Sequence, residues 1–203
     1  MIMDLWTIEK ALGTEGFDLI CGVDEAGRGP LAGPVFAAAV ILPQGAHIPD
    51  LNDSKKLSAK KREKLFVEIT DIAISFAVAS ADHNEIDRLN ILGATYLAMN
   101  RAIGGLKTEF DIALIDGNRN TGIEYNSRCV IGGDSKSASI AAASILAKVS
   151  RDAYMVKMSE KYPQYGFERH KGYGTKLHYD RLREYGPCQI HRKSFLKKDN
   201  QYE

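Results

Sequence analysis

Leu19-Ile20-Cys21-Gly22-Val23-Asp24-Glu25-Ala26-Gly27-Arg28-Gly29-Pro30-Leu31-Ala32-Gly33-Pro34-Val35 is the stretch whose reading decides the fold. An apolar run leads into two adjacent carboxylates, and these lead into a turn held by three glycines and two prolines. A second run, Val35-Phe36-Ala37-Ala38-Ala39-Val40-Ile41-Leu42, is apolar throughout and stops at Pro43. Such runs belong to strands covered on both faces. Further strands are expected at Ile74–Ser80, Ile112–Ile115 and Val130–Ile131. Between and after them the apolar spacing changes to that of helices. One is expected over Ala59–Asp71, capped by Ser58, with Leu65, Phe66 and Ile69 inward. Others are expected over Ile91–Leu106, from about Ser137 to Tyr162, and over Lys176–Tyr185. Alanines at 138, 141, 142 and 143 would let the long helix approach a sheet closely. Strands with interspersed helices make this an α/β chain with a mixed sheet.

The chain has 203 residues, 44% hydrophobic and 26% charged. That suits a single globular domain and excludes a disordered chain, a fibre or a small disulfide scaffold. No apolar run approaches the ~18 residues of a membrane span. Cys21, Cys129 and Cys188 are odd in number and widely spaced, so they read as reduced thiols in a cytoplasmic protein. A secretory signal is not expected at the N-terminus. The net charge of +1 conceals an asymmetry. Residues 1–147 hold 14 Lys and Arg against 19 Asp and Glu, whereas residues 148–198 hold 13 against 5. A C-terminal third this basic suggests a polyanionic partner, with a solvated charged face as the alternative.

Asp24 and Glu25, Asp116, and Asp134 each stand where an apolar strand runs out beside a glycine or turn. Ligands bind at the carboxyl ends of strands in open α/β sheets. Clustered carboxylates repel one another unless a cation joins them, and an oxygen-only donor set suits Mg²⁺ or Mn²⁺. Two such ions about 3.5–4 Å apart can serve both oxygens of an in-line phosphoryl displacement. An acidic core beside a basic region is the pattern of a nuclease. Adjacent residues on a regular strand point to opposite faces, so Asp24 and Glu25 would share one site only if the strand ends or bulges there.

The run from Gly22 to Val35 closely resembles the opening motif of the type 2 ribonucleases H, and specifically of the bacterial ribonuclease HII family. Asp53-Ser54-Lys55-Lys56-Leu57, Asp116-Gly117, Gly133-Asp134, Ser144–Val149, Gly172-Tyr173-Gly174-Thr175 and His191-Arg192-Lys193-Ser194-Phe195 follow in family order. The resemblance covers about Leu19 to Phe195. It implies a ribonuclease H-like fold, with a mixed five-stranded sheet flanked by helices and a helical C-terminal extension. Residues 1–203 then form one catalytic domain, with about 163–203 as a basic extension. It also implies cleavage of RNA in RNA–DNA hybrids, and cutting 5′ of single ribonucleotides in duplex DNA to leave 5′-phosphate and 3′-hydroxyl ends.

The family's four metal-site acids map onto Asp24, Glu25, Asp116 and Asp134. Gly27-Arg28-Gly29 is similar to the turn with which the family reads the ribonucleotide, and Tyr173 to the tyrosine that packs on the junction. Lys55 and Lys56 are candidates for phosphate contact, as are Lys136, Ser137 and Ser139 at the start of the long helix. Ser137 could equally be a plain cap. Lys148 and Arg151 read as phosphate contacts or as solvated charges, and His170 as a surface or phosphate-side group. The tail from Arg192 to Lys198 reads as contacting duplex phosphates, which makes binding salt-sensitive. Trp6 and Phe17 read as anchors for the N-terminal segment, and a monomer is expected. Two other readings stand beside this one: a catalytically idle duplex-binding module, and a metal-dependent nuclease or phosphatase with another substrate. The complete acid set speaks against the first, and the Gly-Arg-Gly turn and Tyr173 against the second.

Overall fold

Two largely apolar runs lie at the heart of a five-stranded sheet in the computed structural model, which describes residues 4–51, 54 and 57–197. β1 is Ile20–Ala26 and β2 is Val35–Ile41. β3 (Ser75–Ala81), β4 (Ile112–Asp116) and β5 (Ser127–Val130) complete the order β3-β2-β1-β4-β5. β2 pairs antiparallel with β1 and β3, while β4 lies parallel to β1 and to β5. The sheet is therefore mixed and five-stranded, as expected.

Helices α1 (Thr7–Thr14), α2 (Ala59–Ile72), α3 (His83–Gly104), α4 (Ala138–Lys161), α5 (Phe167–His170), α6 (Lys176–Tyr185) and α7 (Lys193–Leu196) surround it. One face packs Val23, Ala37 and Ile115 against Ala94, Ala98 and Ile103 of α3. The other packs Ala38 and Val40 against Leu65 and Ile69 of α2 and Ala142–Leu146 of α4. Each fully buried Leu or Ile contributes about 1.5–3 kcal/mol by leaving water. The alanines at 138, 141, 142 and 143 are all fully buried, as their small size suggested. Gly22 completes that approach: a Cβ there would lie 2.1 Å from the Ser139 carbonyl carbon.

Several elements differ from the sequence reading. The helix expected from Ile91 is the second half of α3. Its first half starts at a capping box, Asp82 with Glu85, and the two meet at Asn90. Asn90 takes a positive φ, and its side-chain oxygen accepts from the N–H groups of Leu92 and Gly93, restarting the helix. β5 lies three residues earlier than expected, because an edge strand with alternating polarity lacks the apolar run that marks a buried one. Exposed Ile131 falls outside it. Helix α1 was not expected at all, although Trp6 and Phe17 do anchor its ends: Trp6 Nε1 donates to the Ala46 carbonyl, and Phe17 packs with Leu12 and Ile20.

A third core lies under the C-terminal segment. Leu31, Ala32, Met155, Tyr165, Phe167, Leu182 and Ile190 enclose His170, His178 and His191, all buried. His170 is thus not the surface group expected, because Phe167 and the stacked ring of His178 cover it. The contacts are mutually satisfied by neutral rings. His191 Nε2 donates to His178 Nε2 at 3.0 Å, and His178 Nδ1 donates to the Tyr173 carbonyl at 3.0 Å. His191 Nδ1 accepts from the Cys188 N–H at 2.9 Å. Burial, with neighbouring imidazoles, lowers His178 to about 3 and His191 to about 4. The unfolded chain binds these protons first, so their contribution to stability is present above pH ~6.5 and is lost as pH falls toward 4. Thermal unfolding between pH 7 and 4 should show this loss. A His178→Gln variant, which cannot take up that proton, should show a shallower pH slope.

Candidate active site

β1 and β4 run side by side from Ile20 opposite Ile112 to Val23 opposite Ile115. The next residue on each strand is a carboxylate, Asp24 and Asp116. The Asp116 Oδ1 accepts the Gly133 N–H at 2.7 Å, which fixes the 3-10 turn Gly133–Ser135 carrying Asp134. Gly133 packs closely against Ile140 there: a Cβ would lie 2.5 Å from Ile140 Cδ1, so that side chain would have to move. Asp24 is buried, at 5% exposure, and Oδ1 accepts its neighbour's N–H at 2.6 Å.

The strand neither ends nor bulges at the paired acids. Its register with β2 continues unbroken through Asp24–Ala38, Glu25–Ala37 and Ala26–Phe36. Asp24 therefore faces α4, as Gly22 does, and Glu25 faces α3, as Val23 does. Glu25 pairs with Arg28 at 3.2 Å and lines a cleft of about 230 Å³ with Asp116, Asn118, Arg119 and Tyr96. It still acts on Asp24: burial first, then the charges of Glu25, Asp116 and Asp134, push the Asp24 carboxyl well above the ordinary carboxylate range. The strand end or bulge expected for a shared site is therefore absent; the four acids still gather at one end of the sheet, with Glu25 on the opposite face from Asp24 and acting on it through charge.

The cluster fits a hard divalent cation by two tests. Every donor is a carboxylate oxygen, and the largest influences that raise Asp24 are burial and anionic neighbours. Among the described residues, no three His, Cys, Asp or Glu side chains stand ready-arranged around an ion.

The Gly27–Pro34 connection is built from beneath by two arginines. Arg151 and Arg192 are both fully buried. Arg192 donates from Nη2 to the Gly27 carbonyl (2.6 Å), from Nη1 to that of Arg28 (2.8 Å) and from Nε to that of Gly33 (2.8 Å). Arg151 donates to the carbonyls of Pro34, Ala32 and Lys171. Gly27 has φ +100°, and a Cβ would lie 1.9 Å from Arg151 Nε, so no other residue fits that turn. Tyr173 is 42% exposed and lies over Gly29, with Arg151 Cζ 5.7 Å from its ring centre. The Leu31 N–H donates to the Gly172 carbonyl, which ties the tyrosine loop to the turn.

Two expectations are corrected here. Neither Arg151 nor Arg192 reaches solvent, so neither is a solvated charge or a phosphate contact; Arg192 spends Nε, Nη1 and Nη2 on backbone carbonyls, and Arg151 spends Nε and Nη2 on them while its Nη1 stays buried without a hydrogen-bond partner. Ser137 and Ser139 are also buried. The Ser137 hydroxyl donates to Glu9 Oε1 at 2.6 Å and caps Ile140, while the Ser139 N–H donates to the same Glu9 oxygen. A carboxylate from α1 thus occupies the start of α4, and neither serine side chain is available to a phosphate. Sequence reasoning missed Glu9, because no pattern ties a residue of an unexpected helix to a helix start 128 residues away.

Lys136 is exposed, its Nζ donating to the Ile131 carbonyl. Lys55, Lys56 and Lys198 lie outside the described residues. A groove of about 930 Å³ beside Tyr173 is lined by the cations Arg62, Lys148, Lys157, Arg169 and Lys171 and by the anions Glu63, Asp152 and Glu160, with Asp152 pairing Lys148 at 2.7 Å. Helices long and apolar enough to cross a membrane are absent among the described residues.

Comparisons with known proteins agree on one family. The ribonuclease HII of Caldicellulosiruptor bescii is 60% identical over 190 residues, 94% of this chain and 92% of that one. That of Endomicrobium trichonymphae is 54% identical over 196 residues, 96% of this chain and 93% of that one. The crystal structure of ribonuclease H2 from Pyrococcus horikoshii OT3 matches at a TM-score of 0.71 and 25% identity, covering 91% of this chain and 95% of that one. With the ribonuclease HII family model matching residues 21–198, the chain belongs to the ribonuclease HII family and is a hydrolase of the ribonuclease H type.

Proposed function

We propose that this ribonuclease H endonuclease cuts RNA within RNA–DNA hybrids and also cuts 5′ of single ribonucleotides in duplex DNA. Asp24, Glu25, Asp116 and Asp134 are its catalytic and metal-binding acids, with Mg²⁺ or Mn²⁺ as cofactor. Gly27, Arg28, Gly29 and Tyr173 read the ribonucleotide, and Lys55, Lys56 and Lys136 contact phosphate. The chain acts as a monomer in the cytoplasm, with residues 163–203 a basic extension of one catalytic domain. The observation that carries the reading is that Gly27 follows directly on β1, three residues after Asp24, so that acids and turn stand at the same end of the strand.

Each protein group has a distinct task. Asp24, buried, and Asp116, held by the Gly133 N–H, provide fixed oxygens between the strand ends. Glu25, drawn toward Arg28, closes the α3 side. Divalent ions, when bound, neutralise the cluster and supply charge stabilisation to the entering and departing oxygens of an in-line displacement. The turn presents backbone close to the sugar, and a 2′-hydroxyl distinguishes RNA from DNA. Tyr173 offers a ring face to the next sugar or base. The groove beside it carries five Lys and Arg against three carboxylates, an excess of cations that favours a phosphate backbone.

The test is a DNA duplex with one ribonucleotide, incubated with Mg²⁺ or Mn²⁺ and with chelator. Cleavage on the 5′ side, leaving 5′-phosphate and 3′-hydroxyl ends and requiring the ion, is the expected result. Tight binding with no cleavage overturns the reading. Stacking of this kind is worth about 1–3 kcal/mol per base. Tyr173→Ala should therefore slow cutting at the single ribonucleotide about tenfold or more without altering the melting temperature, and Tyr173→Phe should retain most of the rate.

A further inference from the structure

We infer that Arg192 is a positioning residue for ribonucleotide discrimination: from the C-terminal segment it sets the direction of the peptide groups in the Gly27–Gly29 turn. This rests on the reading of that turn given above.

Every described peptide bond is trans, and in a trans peptide the C=O of one residue and the N–H of the next point in opposite directions. Arg192 draws the Gly27 and Arg28 carbonyls inward onto Nη2 and Nη1. The N–H groups of Arg28 and Gly29 are thereby turned outward, and both residues are exposed. Two adjacent outward donors on a backbone without bulky side chains at Gly27 and Gly29 are what a sugar hydroxyl or its phosphate can meet. Nothing local enforces this orientation, because glycine permits either direction of the peptide plane. The guanidinium enforces it, with three donors reaching three carbonyls in one plane.

Arg192 is itself fixed from both sides. Its N–H donates to the Leu31 carbonyl, and its guanidinium lies 5.0 Å from the Phe195 ring centre. Asp87 of α3 accepts the N–H groups of Lys193 and Ser194 and caps α7. Arg151 performs the neighbouring task, linking Ala32 and Pro34 to Lys171 and so holding the tyrosine loop at a set distance from the turn. Burial and Arg151 lower Arg192 to about 9, which leaves it a cation at neutral pH.

Arg192→Lys tests the inference, because a single ammonium cannot reproduce the planar fork. A displacement near 1 Å can cost about a hundredfold in rate. Three quantities are measured for parent and variant: melting temperature, Mn²⁺ affinity, and cleavage of the one-ribonucleotide duplex together with binding to an all-DNA duplex of the same sequence. The expected variant is folded, binds Mn²⁺ and all-DNA duplex as the parent does, and cuts at the ribonucleotide at least about tenfold more slowly. A folded variant with parental rate and parental preference for the ribonucleotide overturns the inference. So does a variant with a lowered melting temperature whose ribonucleotide preference is unchanged, since that marks a purely structural arginine. If the lysine variant does not fold, Asp87→Ala frees the same segment without touching the turn, and it should lower the same preference; unchanged preference there also overturns the inference. A parent unable to cut at a single ribonucleotide instead brings down the reading of the turn.

Discussion

Asp24→Asn loses cleavage by at least about a thousandfold while the variant stays folded and still binds an RNA–DNA hybrid. The substitution keeps the shape of the side chain and removes one charge from a group with three carboxylates acting on it. Hybrid binding should rise slightly without metal, because the phosphates then meet one anion fewer. The same change gives a stability signature. The native state holds the Asp24 proton to a higher pH than the unfolded chain does. In the window from the unfolded carboxylate value near 3.9 up to the raised native value, stability therefore falls as pH rises. In chelator at neutral pH, Asp24→Asn should melt higher than the parent, by about 2–4 °C for each kcal/mol of repulsion relieved. Adding Mg²⁺ or Mn²⁺ should stabilise the parent, by about 2.7 kcal/mol at a hundredfold excess over Kd, and the variant far less. Near-parental activity in both Asp24→Asn and Asp116→Asn would remove the acids from the reaction.

Gly22→Ala has the second large effect, and it acts on the fold first. The added carbon would lie 2.1 Å from the carbonyl carbon of Ser139 and 2.5 Å from the Ile140 nitrogen. Both are backbone, so the first turn of α4 must lift from β1. Overpacking of this severity costs about 3 kcal/mol, a drop of roughly 6–12 °C in melting temperature. Lifting α4 also shifts Ile140, against which the Asp134 turn is packed, so metal affinity should fall along with stability. Gly29→Ala is the control for stability, its Cβ meeting nothing closer than Tyr173 at 3.8 Å. An unaltered melting temperature for Gly22→Ala would show that the helix does not need that approach.

What was legible in the sequence follows from where each signal originates. Apolar runs bordered by charges or prolines marked β1, β2 and β4, because burial on both faces disfavours charge along such runs. Acids at strand ends were visible because each ends such a run. Ser58 and the 176–185 helix were visible because their signals are local. β5, whose Ser127 and Arg128 read as loop, and α1, whose eight residues carry little apolar content, were not. The cationic residues misled most. Composition counts Arg151 and Arg192 with the surface lysines, although both are spent internally on carbonyls that no sequence pattern announces. Arg192 stands between Ile190 and Leu196, both buried, and that neighbourhood was the available hint.

The reach from Arg192 back to Gly27 spans 165 positions. A ribosome makes the turn early and its organiser late. The nascent chain holds Asp134, which completes its acidic cluster, well before it holds Arg192. Discrimination is consequently among the last properties the growing polypeptide acquires, and a stop codon ahead of position 192 would leave all four carboxylates in the chain and remove the organiser of the turn.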